Sequence, residues 1–311
     1  MLTFIKHQAG QIFDVPVLED GEIVRAVAPT AQEVEFLGKS LKIPEDFLVA
    51  ALDRDERPRI ETDDDCRLLI VRIPHHNAAS DTPYLTIALA FILTPTHVVT
   101  VCSEESLLWN DFLSGKRRHR LPSPNERVAF LTFLFLHVAR QYLISIRHIR
   151  EEADAAEKAI HGSMKNEMLI RMLNLEKCLV FFTTSLRANE PLWDRFRKIH
   201  GRELTDEEKD LVEDVKIEFR QAQELADIYS NILSGMMDAF ASIIANNLNV
   251  VMKLLTLITI ILMLPTLIAS IYGMNVELPW QHSPHAFLIP MVLSLVISAV
   301  GIFVFVKKRW F

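Results

Sequence analysis

The chain lacks the cysteine pattern of a disulfide-bonded or zinc-binding protein. Its three cysteines, Cys66, Cys102 and Cys178, are far apart, odd in number and without a Cys-x-x-Cys pair. Disulfide frameworks use cysteines in even number and structural zinc sites use closely spaced pairs, so neither is expected here. An isolated cysteine usually behaves as a small apolar side chain, and we predict that all three are reduced core residues.

The chain also lacks the short motifs of common catalytic sites. It contains no Gly-x-Gly-x-x-Gly fingerprint, no Walker-type phosphate loop and no His-Glu-x-x-His motif. No nucleophile, base and acid stand at a recognisable spacing either. These absences indicate a protein that is not an enzyme and uses no catalytic cofactor.

Positive charge is scarce over the chain as a whole. Lys and Arg number 33 against 40 Asp and Glu, and the formal net charge is -7. Nucleic-acid binding needs a basic surface, so nucleic acid is not expected as a partner. The N-terminus has neither the apolar core of a signal peptide nor the Arg-rich, acid-poor composition of a transit peptide. We therefore expect the large N-terminal part to remain where it is synthesised.

The chain does have two long stretches without charge near its C-terminus. Residues 254–276 and 286–306, which are 23 and 21 residues long, contain no Asp, Glu, Lys or Arg. At a rise of about 1.5 Å per residue, each spans the ~30 Å hydrocarbon core of a bilayer as a helix. The sequence therefore predicts two transmembrane helices, which we assign to residues 249–275 and 286–306.

The charges beside these spans predict the topology. Two crossings return the C-terminus to the side of the N-terminal domain, and Lys307, Lys308 and Arg309 in the basic tail 307–311 satisfy the positive-inside rule there. Both termini are therefore expected in the cytoplasm, with residues 276–285 as the outer loop. We expect a multi-pass protein of the bacterial inner (plasma) membrane, in contact with lipid.

Residues 1–124 are predicted to form a cytoplasmic α/β domain with a mainly β core. Apolar runs rich in β-branched residues alternate with helical patterns, and one helix begins at Thr30, where Glu33 completes a capping box. His75 and His76 are interpreted as surface residues between strands. Three of the predicted strands cover residues 66–73, 85–93 and 97–102.

Residues 125–248 are predicted to form long cytoplasmic helices and a stalk. Pro191 is expected to kink the second helix, and Thr205 followed by acidic residues is typical of a helix start. The third helix would reach about 100 Å and run from the cytoplasm through the membrane. The whole chain is then an α+β membrane protein. The predicted helices cover residues 126–161, 164–199 and 205–272.

Polar and sulfur-containing side chains recur along the first predicted span at steps of three and four residues, so they share one face of the helix. We call this face the polar seam; its members are Asn249, Met252, Thr256, Thr259, Met263, Thr266 and Ser270. Lipid disfavours such a face, which should look towards other helices or water. The seam lies either on the axis of a symmetric oligomer or against the second span, with hydroxyls bonded back to the backbone. The spacing alone leaves both open.

The first span ends in Tyr-Gly-Met-Asn at residues 272–275, and Met-Lys-x-Leu-Thr precedes it at residues 252–256. With a second span and the ending Lys-Lys-Arg-Trp-Phe, this stretch resembles the CorA family of divalent-cation channels, whose hallmark is Gly-Met-Asn at the outer end of the first span. The resemblance is strong over residues 234–311 and looser along the stalk. It implies a funnel-shaped homopentamer of identical subunits, in which the first spans line a central pore and the second spans lie outside.

The resemblance also implies roles for individual residues. Asn275 would form the outer ring that receives the ion, with Gly273 and Met274 shaping the turn that presents it. Leu255 would belong to the hydrophobic constriction, at the place where the spacing argument selects Thr256. The implied pore-lining residues are Asn249, Met252, Leu255, Thr259, Met263 and Thr266.

Further implied roles concern the cytoplasmic side. Asp238 matches an acidic residue near the cytoplasmic mouth, and Lys307, Lys308 and Arg309 match a basic collar around it. Asp214 falls where the family has one carboxylate of an inter-subunit Mg²⁺ site that senses cytoplasmic Mg²⁺. Its partner in the N-terminal domain is not identified. The alternative for Asp214 is a solvated position on the helix.

The resemblance implies Mg²⁺ as the imported ion and as the regulatory ion. The outer loop departs from the acidic loop of many relatives, because it keeps Glu277 but adds His282 and His285. Imidazole suits Zn²⁺, Co²⁺ and Ni²⁺ better than Mg²⁺, so a proton-coupled transporter of these metals within the same family is the alternative. A membrane-anchored sensor or scaffold without transport ranks below both, since it would need neither the seam nor Gly-Met-Asn.

Overall fold

In the computed structural model the chain divides into two compact units, Met1–Met237 and Asp238–Phe311. The first unit contains a β-sheet and long helices, the second contains a helical hairpin, and one long helix contributes residues to both. The α+β composition predicted from the sequence is confirmed. The structure describes residues 1–8, 11–18, 22–106, 108, 122–124, 126–160, 165–200, 205–275, 279 and 284–307.

The described part of the first unit forms a seven-stranded sheet in the order β2-β1-β3-β7-β6-β5-β4. Its strands are β1 (Leu2–Gln8), β2 (Gln11–Val15), β3 (Ile23–Val27), β4 (Arg59–Asp63), β5 (Cys66–His76), β6 (Tyr84–Leu93) and β7 (Val98–Cys102). Neighbouring strands are antiparallel except β3 and β7, which are parallel. A parallel pair cannot be joined by a hairpin, and the chain between β3 and β7 accordingly includes two helices and three strands.

The two helices between β3 and β4 are α1 (Ala31–Leu41) and α2 (Glu45–Leu52). The predicted cap of α1 is confirmed, because the Glu33 backbone N–H donates to Thr30 Oγ1 at 3.3 Å and Glu33 Oε2 accepts from the Thr30 N–H at 2.8 Å. Each side chain satisfies a backbone group that the helix leaves unpaired. The start of α1 is therefore encoded locally.

The strands β5, β6 and β7 are largely buried on both faces of the sheet. Alternate side chains of β5, such as Leu68 and Ile70, pack in one core cluster with α1 and α2. Leu69 and Val71 point to the other face and are also fully buried. Two further helices, α3 (Arg127–Ile160) and α4 (Lys165–His200), contact β5. Burial on both faces explains why β5 and β6 are nearly continuous apolar runs.

The expectation that His75 and His76 lie between strands was wrong. Both lie within β5, opposite Leu85 and Tyr84 of β6, because the β5–β6 hairpin continues beyond the apolar run. The expected surface exposure is confirmed for His76. His75 is mostly buried and its Nε2 lies 3.0 Å from a Glu104 carboxylate oxygen. α4 continues through Pro191 as one helix from Lys165 to His200, and the expected kink there stays a prediction.

Three helices in the described residues are long and apolar enough to cross a membrane, one more than the sequence predicted. The additional one is α3. Its most apolar stretch is 72% buried within the first unit, whereas the corresponding stretches of the other two helices are 0% and 6% buried. The apolar surface of α3 is thus buried by packing within the first unit. The two predicted spans are the helices whose apolar surface is not buried by the rest of the chain.

The helix that precedes the first span is α5 (Asp206–Tyr272). It starts at the predicted Thr205, which exchanges two hydrogen bonds with Glu208 at 2.8 and 3.3 Å. The part of α5 in the first unit buries Val215 and Ala222 and forms ion pairs Arg140–Glu218 and Arg187–Asp227 with α3 and α4. This part of α5 is therefore held by the other two long helices.

Candidate pore-lining face

The second unit is a hairpin of the C-terminal part of α5 and the helix α6 (Leu288–Lys307). Most of its apolar side chains are exposed within a single chain; Leu255 is 64% exposed and Phe303 65%. Two helices cannot cover each other on every side. The remaining surface must therefore meet lipid or other protein chains.

One face of α5 packs against α6. Its half-buried residues recur at helical spacing and include Leu257, Ile261, Leu264, Ile268 and Tyr272. On α6, Ser298 is buried, and a Cβ atom added to Gly301 would lie 3.9 Å from Leu264 Cδ1. Small residues three apart on one helix let the partner helix approach closely. The sequence interpretation missed this contact, although Ser298 and Gly301 were a visible signal for it.

The polar seam lies on the opposite face of α5. At about 100° per residue, Met252 and Ser270 project roughly 180° from Ile261. Every seam residue is exposed, with Met252 at 58% and Met263 at 63%. The seam therefore does not pack against the second span, which was one of the two arrangements that the spacing left open.

The threonine hydroxyls of the seam are nevertheless bonded to their own helix. Thr256, Thr259 and Thr266 donate to the carbonyl four residues earlier at 2.9, 2.8 and 3.0 Å. This back-bonding satisfies the hydroxyl protons within the helix itself. Leu255, which the resemblance implies in place of the seam residue Thr256, is exposed as Thr256 is, so the exposure in one chain does not discriminate between them.

The Gly-Met-Asn motif lies where α5 ends. The Gly273 N–H donates to the Ala269 carbonyl at 2.9 Å, and the Met274 N–H donates to the Ile271 carbonyl at 3.2 Å. The second bond spans three residues instead of four, which tightens the last turn. Asn275 follows directly and is exposed. The turn thus presents the Asn275 amide beyond the helix end.

The outer loop and the basic tail are described only in part. Glu277, His282, Lys308 and Arg309 lie outside the described residues. His285 is exposed, and its carbonyl accepts from the Leu288 and Ile289 N–H groups at 2.9 and 3.1 Å, at the start of α6. Lys307 is the last residue of α6, and its Nζ lies 5.9 Å from the centre of the Phe303 ring.

The acidic candidates are both exposed on α5. Asp214 belongs to the first unit and Asp238 to the second, where the Asp238 carbonyl accepts from Ser242 Oγ at 3.0 Å. Within the described ranges, no three His, Cys, Asp or Glu side chains lie close enough together to hold a metal ion. A metal site at Asp214 would therefore need ligands beyond those that the described part of one chain supplies.

Comparison with known proteins gives a consistent result. The family model described as "CorA-like Mg2+ transporter protein" matches residues 22–308. A cobalt/magnesium transport protein CorA from Methanocaldococcus jannaschii is 28% identical over 291 residues, which cover 91% of this chain and 89% of the relative.

Solved structures resemble the chain over its full length. The complete structure of the CorA magnesium transporter from Methanocaldococcus jannaschii superposes with a TM-score of 0.82 at 24% identity and covers 100% of this chain and 99% of that one. The full-length CmaX protein gives a TM-score of 0.70 at 17% identity, with coverage of 100% and 98%. At these identities the likeness concerns the fold.

Proposed function

Because the chain belongs to the CorA family of Mg²⁺ transporter proteins, we propose that it is a channel that admits Mg²⁺ to the cytoplasm. Family membership makes it a divalent-cation transporter and not an enzyme. The observation that carries the finer proposal is the polar seam of α5, which is exposed along its whole length and faces away from α6.

A symmetric homopentamer would cover that face. One hairpin has too few helices to enclose the seam, and lipid is a poor solvent for amide and hydroxyl groups. Five copies of α5 around an axis would direct Asn249, Thr259 and Thr266 to a shared aqueous path, with α6 outside against lipid. The exposed apolar surface of α6 supports this assignment.

Different residues would then contact the ion at successive positions along the path. Mg²⁺ sheds its waters reluctantly, so an entrance of neutral Asn275 amide oxygens, which hydrogen-bond the hydrated ion, suits it better than carboxylates do. Below the entrance, rings of Met263, Leu255 and Met252 would close a narrow path by dewetting. Asn249 would meet the ion at the inner end.

Regulation would come from the cytoplasmic side. Asp238 with Lys307 and the basic tail would surround the mouth, while Asp214 would contribute to a Mg²⁺ site between subunits. Loss of Mg²⁺ would leave like charges facing each other and loosen the stalks, which opens the path. Import would then be limited by cytoplasmic Mg²⁺. In this arrangement the protein spans the bacterial plasma membrane, and both of its termini lie in the cytoplasm.

The second candidate is a transporter of Zn²⁺, Co²⁺ or Ni²⁺ with proton coupling. Two histidines in one outer loop favour it, because imidazole binds these metals better than Mg²⁺. Competition between Mg²⁺ and Zn²⁺ during uptake separates the candidates. A flux that prefers Zn²⁺, and that is lost when His282 and His285 are both replaced by Ala, would overturn the assignment to Mg²⁺.

The proposal is tested by Mg²⁺ uptake into liposomes that contain the full-length protein. Asn275→Ala and Asn249→Ala are expected to reduce uptake, since both remove amides from the path. The matched control is Asn247→Ala, which changes an exposed amide on the opposite face of α5 and should leave uptake unchanged. If the wild-type protein moves no divalent cation, the channel proposal fails and a sensor or scaffold takes its place.

A further inference from the structure

The hydroxyl protons of three seam threonines are already committed. Thr256, Thr259 and Thr266 each donate to a backbone carbonyl of α5, at 2.8 to 3.0 Å. A hydroxyl has one proton and two lone pairs, so a hydroxyl that donates to its own helix offers only lone pairs to the outside. All three side chains are exposed on the seam.

The intervening seam residues offer no outward proton either. Met252 and Met263 carry thioethers, which are weak acceptors and never donors. The nearest cationic side chain, Lys253, projects about 100° from Met252 around the helix. From Met252 to Thr266, the seam is therefore a surface that accepts hydrogen bonds and does not donate them.

Ser270 marks the outer limit of this surface. It lies on the same face, but within the described residues its hydroxyl has no hydrogen-bond partner. The Ser270 hydroxyl can therefore either donate or accept a hydrogen bond. The Asn275 amide beyond it likewise offers both donors and an acceptor. Among the hydroxyls of the seam, only those of Thr256, Thr259 and Thr266 have their orientation fixed by a bond to the backbone.

The acceptor surface matches a hydrated cation. Water molecules around Mg²⁺ bind through oxygen, so their hydrogens point outward and need acceptors. A hydrated anion has the opposite polarity and needs donors. Thr259 and Thr266 are seven residues apart, so their oxygens form two levels separated by about 10 Å along the helix.

We propose that Thr256, Thr259 and Thr266 discriminate cations from anions, because back-bonding orients their hydroxyls as acceptors before an ion arrives. No carboxylate is needed for this selection, and none occurs between Met252 and Ser270. The inference rests on the proposed channel and adds the source of its charge selectivity. It predicts that the hydroxyl matters and the methyl group does not.

The experiment measures the permeability ratio of Mg²⁺ to Cl⁻ from the reversal potential under a MgCl₂ gradient, with the full-length protein in planar bilayers. The double variant Thr259→Ala with Thr266→Ala removes two acceptor levels without narrowing the path. We expect the ratio to fall about tenfold or more, the factor associated with about one hydrogen bond. The double variant with Ser at both positions keeps the hydroxyls and should recover most of the ratio.

Two further measurements keep the outcome interpretable. Ser294→Ala removes a hydroxyl that is also back-bonded, to the Met291 carbonyl at 2.9 Å, but lies on α6, and should leave the ratio unchanged. Size-exclusion chromatography of each variant checks assembly. A wild-type ratio in the Ala double variant would overturn the inference while the channel proposal stands. A wild-type protein that conducts no divalent cation would overturn the channel proposal itself.

Discussion

The Asn189 side chain of α4 pairs with the backbone of Arg72 in β5 through two hydrogen bonds. The Arg72 N–H donates to Asn189 Oδ1 at 2.9 Å, and Asn189 Nδ2 donates to the Arg72 carbonyl at 2.8 Å. Asn189 is 1% exposed and lies beside β5 beyond the last residue that pairs with β4. The amide therefore substitutes for a neighbouring strand and joins the sheet to a long helix.

Replacing Asn189 by Ala should destabilise the protein. The Arg72 carbonyl would keep its hydrogen bond from the Tyr142 hydroxyl at 3.0 Å, but the Arg72 N–H would lose its partner in a partly buried setting. We expect a loss of about 1–3 kcal/mol in the free energy of unfolding. The measurement is the midpoint of thermal unfolding in detergent, which should fall.

The matched control is Asn174→Ala on the same helix. Asn174 Oδ1 accepts only a long bond of 3.5 Å from Lys177 Nζ, in an exposed setting. It should leave the midpoint nearly unchanged. Equal midpoints for the Asn189 and Asn174 variants would show that the paired amide does not hold the sheet to α4.

The stability of the first unit should fall at high pH through Tyr84. Burial, with Glu152 beside it, raises the pKa of the Tyr84 hydroxyl from 10.0 to about 12. Because the folded pKa lies above the unfolded one, the neutral form favours folding below pH 10, and this contribution is lost as the pH rises from about 10 to 12. Unfolding by urea across this range should therefore show declining stability.

Tyr84→Phe isolates that contribution. It removes the titrating hydroxyl, and with it the 3.2 Å hydrogen bond to Glu152 Oε1. The variant should start at lower stability and lose less of it between pH 10 and 12 than the wild-type protein does. Parallel pH profiles for the two proteins would contradict the assignment.

Replacement by Ala should have opposite effects at Gly273, which follows the end of α5, and at Gly235, which lies within α5. A Cβ atom at Gly273 would lie 3.3 Å from the Ala269 carbonyl oxygen, so the backbone of the turn before Asn275 must give way by a few tenths of an ångström. Strain of about 1–3 kcal/mol at the turn would reduce Mg²⁺ uptake by about tenfold or more. Uptake into liposomes measures the effect.

Gly235 provides the comparison. Nothing lies within 4 Å of a Cβ added there, and Ala favours an exposed helix over Gly by about 1 kcal/mol. Gly235→Ala should raise the unfolding midpoint and leave uptake unchanged. If Gly273→Ala transports as well as Gly235→Ala, the turn does not position Asn275.

Features encoded within a few residues were predictable from the sequence. The capping box at Thr30 and the helix start at Thr205 depend only on residues up to three apart, and both predictions are confirmed. The two charge-free spans were equally visible, since length and composition decide them. The seam was recognisable for the same reason, because its period of three and four residues is a local property.

Long-range contacts were not predictable in this way. Asn189 and Arg72 are 117 positions apart, and nothing near either residue indicates the other. The burial of α3 depends on the sheet beneath it, so composition alone made it a third candidate span. Whether the seam faces α6 or points away from it likewise depended on which face of α5 packs against α6.

The central claim is that the seam of α5 borders a water-filled axis shared by copies of the chain. The most direct measurement is the reaction of Thr259→Cys with a membrane-impermeant, cationic thiol reagent, with Mg²⁺ removed from both sides. Background reaction should be low, because the native cysteines Cys66, Cys102 and Cys178 are buried. Leu295→Cys, 61% exposed on α6 in a single chain, serves as the control for a lipid-facing position. We predict that Thr259→Cys reacts and that its modification stops Mg²⁺ uptake, while Leu295→Cys does not react. An unreactive Thr259→Cys, or equal reaction at both positions, would contradict the account.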